Sequence, residues 1–171
     1  KVANKTYGST LDDVMQYIAD NHDMDVSMYE REPEYENIDR RVLQGCAQFF
    51  DDAKSSGIDV GEQISEIIFT NNNPSNYIGA YWPHDTHIEI YTDKVHDMKY
   101  TMAQEYFGSD PSLVVNAFGQ TLGKKYNKKQ ILDGALDSAI GYSIMAHESA
   151  HALDYKETNL TTKATTKLRA L

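Results

Sequence analysis

Residues 142–155 read Tyr142-Ser143-Ile144-Met145-Ala146-His147-Glu148-Ser149-Ala150-His151-Ala152-Leu153-Asp154-Tyr155, and their chemistry depends on whether they form a helix. On an α-helix His147 and His151 stand one turn apart and project from the same face. That separation lets two imidazole nitrogens bind one tetrahedral zinc ion at ~2.0–2.1 Å each. Glu148 points about 100° round the helix from His147, beside the open coordination position. There a carboxylate can take a proton from an attacking water and deliver it to a leaving amine.

The surroundings favour such a helix. Ala135, Leu136, Ala139, Ile140, Ile144 and Met145 precede the pair, and Ala150, Ala152 and Leu153 follow within or after it. The apolar pattern predicts a helix from about Lys129 or Asp133 to Tyr155. Two histidines and a glutamate in a buried helix are costly without a partner, and a metal supplies one. The plain alternative is a polar surface stripe on an amphipathic helix.

Upstream, Tyr77 to Trp82 and His87 to Tyr91 read as two strands, and Pro83-His84-Asp85-Thr86 is short enough for a hairpin link. The cluster Asn71 to Asn76 reads as a loop. Thr10 with Asp13 three residues on predicts a capped helix start through Leu11, Val14, Met15 and Ile18. The acidic run Tyr29 to Glu36, with Pro33, suits a loop feeding a second helix. That helix carries Ile38, Val42, Leu43, Cys46, Phe49 and Phe50 at 3.6-residue spacing and ends at Ser55-Ser56-Gly57. Helical spacing returns with Val95, Met98, Met102 and Tyr106, and Asp110-Pro111 predicts another helix start. Thr161 to Leu171 reads as a polar tail. The expected class is α+β, mostly helical, with a small sheet beside the His147–His151 helix.

The chain has 171 residues, and 16 Lys+Arg against 26 Asp+Glu give a formal net charge of -10. Such a surface repels phosphate backbones, so nucleic acid is not an expected partner. No apolar run approaches the ~20 residues that span a bilayer. Cys46 is the single cysteine, which rules out an intrachain disulfide framework and reads as a small core residue. Size and patterning suit one domain over residues 1–171.

With these residues in view, the stretch resembles the active-site helix of the zincin metallopeptidases. His-Ala-Leu-Asp followed by an aromatic is similar to the family of the anthrax lethal factor catalytic domain and the Pro-Pro endopeptidases. The hairpin region from Tyr77 to Tyr91 resembles the edge strand that precedes that helix in zincins. The resemblance implies a zinc endopeptidase with a peptide or protein substrate, secreted from the cell. It implies His147 and His151 as ligands, Glu148 as base, and pairing of an extended substrate with one hairpin strand.

The family's third ligand is a glutamate on a helix downstream, and no Glu-rich helical pattern is visible in the sequence of the 20 residues after His151. Three arrangements stay open. Glu157 is the ligand; or Asp154 braces the site by a hydrogen bond to an imidazole; or the domain ends short of the helix that carries the ligand. A truncated or degenerate zincin that binds a peptide without cutting it is the rival reading. Tyr81, Tyr91 and Tyr155 are candidates for stabilising an oxyanion. His84 and His87 flank Asp85 on the hairpin link and read as a solvated tip. His22 and His96 sit among acids and read as surface residues, and Glu89, alternating with Ile88 and Ile90, reads as exposed.

Overall fold

A computed structural model describes residues 7–71, 77–97, 134 and 136–156, with side chains through Asp154. The expected helix at Asp110-Pro111, Met98, Met102, Tyr106, the Tyr155 side chain, Glu157 and the Thr161–Leu171 tail lie outside the described residues.

Helix α1 spans Leu11–His22 and opens with the expected capping box: Thr10 and Asp13 satisfy each other's backbone N–H groups. Strand β1, Asp25–Tyr29, follows at once. A single 3₁₀ turn at Pro33–Tyr35 leads into α2, Glu36–Ser55, which ends as expected with Ser56 and Gly57, the latter at φ 82°. Strand β2 is Glu66–Thr70, β3 is Gly79–Trp82 and β4 is His87–Ile90. Residues 92–97 are helical, and α3 spans Asp137–Lys156.

The four strands form one mixed sheet in the order β1-β2-β4-β3. β1 and β2 pair in parallel, as do β2 and β4, while β3 and β4 form the expected antiparallel hairpin. Parallel neighbours need a crossover rather than a tight turn, and α2 supplies it between β1 and β2. Register and alternation put Val26, Met28, Ile67, Phe69, Ile88 and Ile90 on one face, and all of them belong to or pack against the hydrophobic core. The other face carries Ser27, Glu66, Thr70, His87 and Glu89.

Helix α3 is apolar on most sides, not along one stripe, because it lies between α2 and β3. Its crossing with α2 is made by glycines. A Cβ on Gly45 would sit 1.8 Å from the Ser138 carbonyl oxygen, and one on Gly141 would sit 2.1 Å from that of Val42. Cys46 is fully buried at this crossing, as expected, with its thiol toward the Gly141 carbonyl. Polar ties fix the same pair of helices. Arg41 Nε donates to the fully buried Asp137 at 2.8 Å, and Tyr142 donates to Asp52 at 2.8 Å.

Three expectations need correction. The helix of the His pair begins at Asp137, not near Lys129 or Asp133. Gly134 stands at φ 97°, and its carbonyl accepts from the Asp137 amide, forming a turn rather than a helix. His22 is buried, not on the surface: its Nε2 lies 2.9 Å from Asp51, which also accepts from Tyr7 and Tyr17. Glu89 does face away from Ile88 and Ile90, but it is half-buried because Tyr91 donates to it and His87 Nε2 lies 3.2 Å away. His96 is exposed, as read.

Candidate metal centre

Helix α3 carries His147 and His151 on its exposed side and turns Glu148 inward toward β3. The two Nε2 atoms are 3.1 Å apart, and the rings meet edge to face with centroids 4.7 Å apart. Two ligands on a tetrahedral ion at ~2.0–2.1 Å are separated by about 3.3 Å, so the pair is close to a metal bite without rotamer change. One ligand atom from each of His147, Glu148 and His151 lies within 4.8 Å of the others. Neutral imidazoles and a carboxylate are the donor set that zinc accepts. Among the described residues this is the group able to hold a metal ion.

Glu148 is only 5% exposed. Burial pushes its carboxyl from the ordinary 4.5 up to about 7, while a hydrogen bond from the Tyr81 backbone N–H draws it back in part. The contact exists because β3 comes very close to α3 at Gly79. A Cβ there would sit 2.7 Å from Ile144 Cγ2 and 3.8 Å from Glu148 Cγ. Sequence reasoning passed over both Gly79 and the Tyr81 backbone. The signal was available in Gly79, since a lone glycine inside a strand marks a close backbone approach.

The remaining candidates fall into place around this trio. Asp154 is on α3 and exposed, outside the cluster of ligand atoms. Tyr91 is fully buried, with its hydroxyl donated to Glu89. Burial first, then Glu89, push its phenol well above the usual range, and Glu148 adds a smaller push in the same direction. Tyr81 is half-buried on β3, and its backbone is what reaches the site. His84 is exposed on the turn, whereas His87 is half-buried between Asp85 and Glu89 and stacks with Trp82 at 6.4 Å. Neither joins the His147–His151 pair.

Comparison of the chain with protein-family models, with curated proteins and with solved structures finds no match. No helix of the described residues is long and apolar enough to cross a membrane.

Proposed function

We propose that the chain is a zinc-dependent endopeptidase of the lethal factor and Pro-Pro endopeptidase kind. The observation that carries this reading is the convergence of His147 and His151 Nε2 atoms 3.1 Å apart, with the Glu148 carboxylate in the same cluster. His147 and His151 would hold the ion, and Glu157 is the proposed third ligand. When bound, zinc would supply a Lewis acid that polarises a carbonyl and acidifies water.

The chain's own residues do the rest. Glu148 takes a proton from the attacking water and passes it to the leaving amine, a role that its place in the cluster with His147 and His151 supports. Among the described residues β3 ends the sheet, so the side away from β4 is the one an extended peptide would line.

The test is hydrolysis of a broad peptide library by the zinc-loaded chain and by Glu148→Gln. Loss of a general base costs on the order of 10²–10⁴-fold in rate, which is the expected difference. Equal hydrolysis by the two would mark the cleavage as contamination and leave a peptide-binding module as the better reading.

A further inference from the structure

We propose that Gly79 is a positioning residue for Glu148: its missing side chain lets β3 settle between Ile144 and Glu148 on α3, which holds the Glu148 side chain in place. The catalytic consequence rests on the peptidase reading above; the docking of the strand does not.

The backbone does not call for glycine at this position. Gly79 is the first residue of β3, and it is not among the glycines at positive φ, which are Gly8, Gly57 and Gly134. Alanine could adopt the same conformation, and glycine is the weaker strand residue of the two. What the position requires is space. A Cβ at Gly79 would sit 2.7 Å from Ile144 Cγ2 and 3.8 Å from Glu148 Cγ, both on α3. Its third neighbour, the Glu89 carbonyl oxygen on β4, would be 3.4 Å away, an ordinary contact. Room is therefore short toward the helix and not within the sheet.

Ile144 and Glu148 are four residues apart, so they project from one face of α3. Both are buried, at 0% and 5% exposure, whereas His147 and His151 are exposed. The strand packs on the face that carries the base and leaves the imidazoles open. Contact at the Cγ methylene limits the torsions that aim the Glu148 carboxylate, which has an oxygen within 4.8 Å of the imidazole ligand atoms.

Carbon atoms pack at about 3.5–4.0 Å, so an alanine at 79 must widen the 2.7 Å approach by about 1 Å. Ile144 is fully buried and branched at Cβ, which leaves it few rotamers with which to yield. The strand gives way instead, and the Glu148 methylene loses the surface it rests on. A displacement of about 1 Å in a catalytic group costs on the order of 100-fold in rate.

Nuclear Overhauser contacts in the metal-free wild-type chain read the docking without any reliance on activity. Contacts from the Gly79 Hα protons to the Ile144 Cγ2 methyl and to the Glu148 Cγ protons are expected, and the absence of either overturns the proposal. Kinetics of the zinc-loaded chain then test the positioning. Gly79→Ala is expected to lower kcat about 10- to 100-fold, with KM and zinc affinity changed less than about threefold, because the loss falls on the transition state. A kcat within about threefold of wild type, or an equal loss in zinc affinity, overturns the positioning role. Leucine is branched at Cγ and need place no atom where Ile144 Cγ2 stands, at nearly conserved volume. Adding Ile144→Leu is therefore expected to bring the Gly79→Ala chain to within about fivefold of the kcat of Ile144→Leu alone. A loss that persists undiminished in the double variant overturns the role, and the double variant decides the case if Gly79→Ala does not fold. If the wild-type chain cleaves no peptide, the peptidase reading falls, and the Overhauser contacts alone decide the docking.

Discussion

Replacing Glu148 by glutamine should change how stability depends on pH, and the size of the effect follows from the burial of this side chain. In the metal-free fold the carboxyl titrates at about 7 instead of 4.5. Below pH 4.5 both folded and unfolded chains hold the proton, and the preference of the fold for the neutral form contributes its full stability. As pH rises the unfolded chain releases the proton first, so that contribution is lost progressively until pH passes the folded value near 7. At 1.36 kcal/mol for each tenfold change, the loss between pH 5 and pH 8 is about 2.5 kcal/mol. Glutamine keeps an oxygen for the Tyr81 N–H and has no charge to desolvate. Urea unfolding with a chelator present should therefore show Glu148→Gln gaining about 2.5 kcal/mol on wild type between these pH values. The 25 other acids titrate in both proteins and cancel in the difference. A stability difference that stays constant from pH 5 to pH 8 would refute the claim that the carboxyl is desolvated by β3.

Other perturbations probe the scaffold. Gly141→Ala forces a Cβ to within 2.1 Å of the Val42 carbonyl, where backbone must move, and should cost about 3 kcal/mol in urea unfolding. A loss below about 0.5 kcal/mol would mean that α2 and α3 do not cross this closely. Asp51→Ala strips the acceptor shared by Tyr7, Tyr17 and His22 and should destabilise by about 3 kcal/mol, with melting temperature as the readout. Unchanged melting would place those donors in water.

The sequence was most legible where local rules suffice. The Thr10–Asp13 box, the α2 periodicity ending at Gly57, and the β3–β4 hairpin each depend on a few adjacent residues. Strands β1 and β2 escaped because Asp-Val-Ser-Met-Tyr alternates over only five residues, and Glu-Ile-Ile-Phe-Thr has no period that separates strand from helix. Their parallel pairing joins residues far apart in the chain, such as Val26 with Ile67 and Ile67 with Ile88, which no local pattern encodes. The burial of His22 was readable: it continues the four-residue spacing of Val14 and Ile18, the buried face of α1, and its acidic neighbours drew attention away from that. In the site, helix spacing alone brought His147, Glu148 and His151 together. The Tyr81 contact depends on how β3 docks against α3, a tertiary fact that Gly79 alone hinted at.

Calorimetric titration of the metal-free chain with zinc tests the central claim most directly. The account predicts one ion per chain, with affinity reduced at least about 100-fold by His147→Ala or by His151→Ala and unchanged by His87→Ala. A chain that takes up no zinc, or one whose binding survives both α3 substitutions, would contradict it.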